Sequence, residues 1–154
     1  MKPIDVGALA PEFELPDQSG TLHRLTEELK SGPVVLFFYP AAMTAGCTKE
    51  ACHFRDLASE FSGLGARRLG ISMDSVSKQE EFAQVNGLDY PLLSDADGAV
   101  AEAYGVRRRV IAPVRRATFV IGQDQVVREV VASEVSMDIH ADRALEALSR
   151  LATG

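Results

Sequence analysis

The run Val34-Val35-Leu36-Phe37-Phe38-Tyr39 constrains this chain more than any other segment. Six consecutive apolar or aromatic residues leave no polar face for water, so the run predicts a strand covered on both sides. Such a strand belongs inside a sheet that carries helices on each face. Pro40 takes away a backbone donor and ends it. Beyond it Ala51, Phe54, Ala58 and Phe61 recur at spacings of three and four, which predicts a helix closed by Gly63 and Gly65.

The remaining elements follow the same logic. Arg68 to Met73 reads as a second core strand. Ser77-Lys-Gln-Glu80 has the form of a capping box opening a helix that buries Phe82 and Val85. Tyr90 to Leu93 reads as a short strand, and Gly98 to Tyr104 as a short helix stopped by Gly105. Ala117 to Ile121 and Val126 to Val131 flank Gly122-Gln-Asp-Gln125, a hairpin signal. Ala141, Ala144, Leu145, Leu148 and Leu151 line one face of a last helix, capped by Asp138. Phe13 to Leu22 reads as an N-terminal hairpin packed on the sheet. Alternation early and a hairpin late predict an α/β fold with a mixed sheet. The 154 residues show no repeat or second unit, so residues 1–154 are read as a single domain.

Charge narrows the function classes. The formal charge of −6 argues against a general nucleic-acid or membrane-surface role. It is unevenly spread: Arg107, Arg108, Arg109, Arg115 and Arg116 stand together without an acid, so the rest of the chain carries about −11. Arg107, Arg108, Arg109 and Arg115 read as a solvated basic loop. No apolar stretch reaches the roughly 18 residues of a membrane span, and the start Met-Lys-Pro-Ile-Asp-Val has no signal-peptide pattern. The expectation is a soluble cytoplasmic protein. Two cysteines are too few for a disulfide scaffold; a pair of this kind is catalytic, redox-active or simply buried.

Cys47 falls in the first turn of the helix that leaves the buried strand. Free backbone N–H groups and the positive end of the helix dipole meet at such a place and favour a thiolate, the nucleophilic form. Gly46 beside it has no side chain, so a small substrate can approach the backbone. On a helical wheel Ala51, Phe54, Ala58 and Phe61 lie within about 40° of Cys47, whereas Cys52 lies about 140° away beside Asp56 and Ser59. Cys47 therefore points at the core and Cys52 towards the polar side. Residues five apart in a helix have Cα atoms about 8.6 Å apart, and a disulfide tolerates about 7 Å. If the two cysteines bond, the first turns of this helix must unwind. The competing reading is a pair of inert cysteines, one in the core and one on the helix flank. No second Cys or His pair stands at zinc-ligand spacing. His53 reads as solvated, and His23 and His140 have no partner that the sequence names.

The window Tyr39-Pro-Ala-Ala-Met-Thr-Ala-Gly-Cys-Thr-Lys-Glu-Ala-Cys resembles the peroxiredoxins of the bacterioferritin-comigratory-protein or PrxQ type. Pro40, Thr44 and Cys47 match the Pro-x-x-x-Thr-x-x-Cys motif, and Cys52 matches a second cysteine five residues on. Phe13 to Asp17, Tyr90 to Asp95 and Arg116 to Ile121 extend the likeness over nearly the whole chain. Many relatives carry Pro where this chain has Ala45, which bears on loop stiffness. The resemblance implies a thioredoxin-like fold and a peroxidase without cofactor or metal. It implies Cys47 as the peroxidatic cysteine and Cys52 as the resolving one. Thr44 and Gly46 would bind the peroxide with Arg116, and Pro40 would shield the thiolate. Its partners would be a hydroperoxide and a dithiol reductant, thioredoxin above all. It would be a monomer, with a dimer as the alternative. Glu50, which also fits the subgroup pattern, is read as structural, placed by the helix dipole. Two other functions stand beside this one: a thiol-disulfide oxidoreductase acting on proteins, and a redox sensor or holdase that uses the disulfide as a switch. The first normally uses Cys-x-x-Cys, whereas four residues separate these cysteines.

Overall fold

The computed structural model describes residues 2–108 and 113–153; Arg109 of the basic segment lies outside the described residues. The apolar run forms strand β3 (Val34–Phe38), every residue of it buried. It lies at the centre of a five-stranded sheet of order β5-β4-β3-β6-β7. Strands β4 (Arg67–Ser72) and β5 (Leu92–Ser94) extend it in parallel on one side. On the other side β6 (Ala117–Ile121) and β7 (Val127–Ala132) form an antiparallel hairpin. The sheet is mixed, as the order of patterns along the chain predicts. A separate pair, β1 (Glu14–Pro16) and β2 (Leu22–Arg24), makes the N-terminal hairpin.

Alternation along β3 divides the apolar residues between two cores. Val34, Leu36 and Phe38 join Leu69, Ile71, Phe119 and Tyr104 on one face. Val35, Phe37 and Tyr39 join Phe54, Phe61, Phe82 and Leu148 on the other. The second core carries α2 (Ala45–Asp56), which leaves the carboxyl end of β3 and packs beside α6 (Asp138–Thr153). The Phe37 and Phe54 rings stack with centroids 4.1 Å apart, holding α2 against the sheet. Truncating Phe37 to Ala would cost about 3–5 kcal/mol. Gly70 of β4 lies opposite Phe37 in the register. A Cβ there would stand 2.8 Å from Leu92 Cδ2 and 3.0 Å from Phe37 Cζ, so the rings need that glycine.

Four local expectations change. The stripe from Ala51 to Phe61 spans two helices, because Leu57 (φ −98°, ψ 21°) leaves the helical region between α2 and α3 (Ala58–Gly63). Phe61 still packs on Phe54, with centroids 5.7 Å apart. Helix α4 (Val76–Asn86) is capped by Ser75, whose hydroxyl accepts from Lys78 N–H, and not by Ser77. Val85 of α4 is 65% exposed, since Gln79, Phe82 and Ala83 make the buried face. Asp138 lies inside the first turn of α6, where a carboxylate meets the helix dipole. The short helices α1 (Leu25–Glu28) and α5 (Ala99–Ala103) complete the order. Among the described residues no helix is long and apolar enough to cross a membrane.

Candidate active site

The site is built at the carboxyl end of β3. Pro40, half-buried, opens a loop over residues 40–44 that is tied to the end of β4: Ala42 N–H donates to Asp74 Oδ2 (2.8 Å), as does the Ser72 hydroxyl (2.6 Å). Below the loop, the Tyr39 hydroxyl donates to Gln79 Oε1, and Gln79 Nε2 donates to Ser72 Oγ and the Leu93 carbonyl. Met43 takes φ 68°, a left-handed conformation that a residue with a Cβ adopts at a cost. Thr44 then enters α2 in extended conformation as the residue that caps it. Its hydroxyl donates to the Ala41 carbonyl (2.8 Å) and makes no side-chain cap, so the free N–H groups of the first turn stay open. The exposed Thr44 hydroxyl stabilises the loop instead of capping the helix.

Cys47 occupies the third position of α2 and is 1% exposed, pointing into the second core as the wheel predicts. Arg116, just before β6, brings its guanidinium to it: Nη2 lies 3.4 Å from Cys47 Sγ. Nη1 donates to Glu50 Oε1 at 2.7 Å. The guanidinium thus bridges the sulfur and a carboxylate one turn further along the same helix. Gly46 makes room for it, because a Cβ there would stand 3.2 Å from Arg116 Nη2 and 3.5 Å from Met137 Sδ. The Arg116 backbone N–H donates to Glu134 Oε1 (2.8 Å), which also meets Arg108 at 3.4 Å. Of the other loop arginines, Arg107 donates to the Asp97 carbonyl. A surface cavity of about 180 Å³ is lined by Arg116 together with Arg108, Arg115, Ser133 and Glu134. Two larger surface cavities lie elsewhere and include neither Cys47 nor Arg116.

Cys52 lies on the flank of α2, half-buried, with Sγ 3.8 Å from Asn86 Oδ1 of α4. Both cysteines are free, and α2 runs unbroken through both positions. An intact helix keeps their Cα atoms about 8.6 Å apart.

Glu50 and His140 enter the site from sequence positions that carried little signal. Glu50 is fully buried, and burial pushes its carboxyl up to about 8 against the pull of Arg116. His140, on α6, is fully buried as well and held below the usual histidine range by burial. It bonds Thr118 Oγ1 and the Ser133 carbonyl, and its Nδ1 lies 3.6 Å from Glu50 Oε2. Glu50 near the helix start reads as a structural carboxylate favoured by the dipole, and nothing in the sequence pairs it with His140. The spacing Cys47, Glu50, Ala51, Phe54 was the available signal, since it sets Glu50 on the buried stripe. His53 bridges to Asp142 at 2.8 Å and is not simply solvated; His23 sits between Asp17 and Glu28. Among the described residues no three His, Cys, Asp or Glu side chains are grouped as a metal site.

The model of the AhpC/TSA family matches residues 6–130. Peroxiredoxin Bcp of Escherichia coli is 44% identical over 106 residues, covering 69% of this chain and 67% of that protein. The crystal structure of peroxidoxin BcpB from Mycobacterium tuberculosis is 58% identical, with a TM-score of 0.91 over 95% of this chain and 97% of that one. A structure of the Xanthomonas campestris bacterioferritin comigratory protein, solved for insight into its alkyl peroxide reduction activity, is 30% identical. It superposes with a TM-score of 0.85 over 97% of this chain and 98% of that one.

Proposed function

Since the chain belongs to the AhpC/TSA family, in its Bcp/PrxQ peroxiredoxin branch, and is a thiol peroxidase of thioredoxin-like fold, we propose that Cys47 is its nucleophile and Cys52 its resolving thiol. The observation that carries this reading is the Arg116 guanidinium held 3.4 Å from Cys47 Sγ at the start of a helix. A cation and a helix N-terminus both stabilise a thiolate there. The thiolate attacks the nearer peroxide oxygen, the O–O bond breaks, and the leaving oxygen departs as alkoxide or hydroxide before taking a proton. Arg116, the N–H groups of Gly46 and Cys47, and the Thr44 hydroxyl after rotation from Ala41 are placed to bind that developing charge. Pro40 walls the loop beside them.

Cys47 is left as sulfenic acid. Cys52 thiolate displaces hydroxide from it, which takes a proton and leaves as water, and a disulfide forms. A reduced dithiol protein, thioredoxin in our reading, returns both thiols by exchange. The half-exposed Cys52 supports attack from outside. Disulfide closure needs the first turns of α2 to melt, and those turns are lightly held. Thr44 makes no side-chain cap, Gly46 weakens the helix by about 1 kcal/mol against Ala, and Met43 precedes them in a strained conformation. We read the protein as one domain, a monomer acting in the reducing cytoplasm; the shared resolving helix needs no second chain.

The test is peroxide-dependent NADPH oxidation with thioredoxin and its reductase. Cys47→Ser is expected to abolish it. Cys52→Ser should still form one sulfenic acid per chain, seen by intact mass, and turn over poorly. Full turnover by Cys47→Ser would sink the assignment. Peptide mapping after one equivalent of peroxide should find the Cys47–Cys52 disulfide.

A further inference from the structure

The buried side of the site holds two ionisable groups that the attack on peroxide does not use, Glu50 and His140, both fully excluded from water. Their neighbours define where hydrogens lie. His140 Nε2 is 2.9 Å from the Ser133 carbonyl, which can only accept, so Nε2 carries a hydrogen. In a neutral ring Nδ1 is then bare, and its single lone pair faces both the Thr118 hydroxyl, 2.8 Å away, and Glu50. Glu50 Oε2 stands 3.6 Å from that same Nδ1 and has no hydrogen-bond partner. Two bare acceptors face each other in a dry pocket. A proton on Glu50 Oε2 turns that repulsion into attraction, and a slight approach with the Thr118 hydroxyl turned away completes a hydrogen bond; without the proton the buried oxygen is left unsatisfied.

The charges lead to the same place. One cation, Arg116, faces two groups able to be anions, Cys47 and Glu50. A thiolate and a carboxylate together would leave the pocket with an uncompensated negative charge. We propose that Glu50 and His140 form a proton-holding pair coupled to Cys47: while the sulfur is a thiolate, one proton stays between Glu50 Oε2 and His140 Nδ1, and the charge of Arg116 is directed at the sulfur. The proposal rests on Cys47 being the reactive thiolate. When the thiolate attacks, its negative charge leaves on the alkoxide, and the sulfenic acid is neutral. Arg116 then favours the Glu50 carboxylate, so the pair can give up its proton as the alkoxide gains one, and the charge of the pocket stays constant.

Other charged and titratable groups face the pair without replacing it. Glu134, between β7 and α6, opposes ionisation of Glu50 and favours a charged His140, while Arg116 and Arg143 oppose the latter. Tyr90, whose hydroxyl donates to the Ala51 carbonyl, and Tyr39, close to Cys47, are both held protonated by burial. Neither donates to Glu50 Oε2.

Infrared titration of the full-length reduced protein tests this, since a protonated carboxyl has its own carbonyl band and Glu50→Gln identifies which band is Glu50. The band is expected at neutral pH, and its midpoint in the reduced protein should lie higher than in Cys47→Ser, by on the order of one pH unit. Equal midpoints, or no such band at neutral pH, would overturn the proposal. His140→Phe takes away the acceptor, so the band should move to higher frequency; an unmoved band removes His140 from the pair. Thiolate absorbance and peroxide reactivity on the same samples separate the two failures. A thiolate with equal midpoints refutes the pair alone, whereas loss of both signals from Cys47 refutes the reading beneath it.

Discussion

Replacing Glu50 with Gln asks whether burial or ion pairing dominates at the centre of this site. An ordinary glutamate titrates near 4.5, and Glu50 in the folded chain near 8. Between those values the folded chain holds a proton that the unfolded chain has released. Stability therefore falls as pH rises through the window, by about 1.4 kcal/mol per unit, and levels off above 8. The whole effect is on the order of 5 kcal/mol, a large part of the 5–15 kcal/mol that holds a domain together. Glutamine resembles the protonated carboxyl and keeps an acceptor oxygen for Arg116 Nη1. Urea unfolding of Cys47→Ser and of Cys47→Ser with Glu50→Gln, at pH 5 to 9 under reducing conditions, isolates this contribution from the thiol. The two proteins should have similar stability at pH 5, with the Gln form ahead by several kcal/mol at pH 8. If the ion pair dominates instead, loss of one buried partner costs about 3–5 kcal/mol. The Gln form would then be the weaker at pH 8, and parallel curves would equally refute the argument from burial.

Three further outcomes follow from the geometry. Arg116→Met removes the cation 3.4 Å from Cys47 Sγ, and the rate of peroxide reduction in stopped flow should fall about 10²–10³-fold; a loss below tenfold would remove Arg116 from the reaction. Gly46→Ala places a Cβ 3.2 Å from Arg116 Nη2. It should slow the reaction at least about tenfold through a displaced guanidinium. Urea unfolding should show unchanged or raised stability, because Ala favours the helix by up to about 1 kcal/mol. Oxidation to the disulfide should remove helical signal in far-UV circular dichroism and hydrogen-exchange protection at the start of α2, and Cys52→Ser should keep both. Full retention by the oxidised wild type would refute melting.

Much of the fold was legible because its signals are local. The six-residue run from Val34 to Tyr39 could only be a covered strand, and the alternating early order followed by a hairpin led to the mixed sheet seen here. The errors were local as well. Ser75 and Ser77 are both good caps, and which one is used depends on where the chain leaves β4. Val85 fits an apolar period, but the buried face of α4 is made by Gln79, Phe82 and Ala83.

For the site, the sequence by itself determined where the buried thiol stands. A cysteine in the first turn of a helix leaving a buried strand, with its partner cysteine on another face, follows from spacing and helix geometry within a few residues. What surrounds that sulfur was decided by tertiary structure alone. Arg116 meets Cys47 across 69 residues and Glu50 across 66, and His140 arrives from the last helix. Such meetings depend on which elements share a face of the sheet, and the energies of the charged groups depend on how far packing excludes water. Glu50 shows the difference: its place on the buried stripe could be read from the chain, but its high protonation range and its facing histidine come from the closure of α2, β6 and α6 around it.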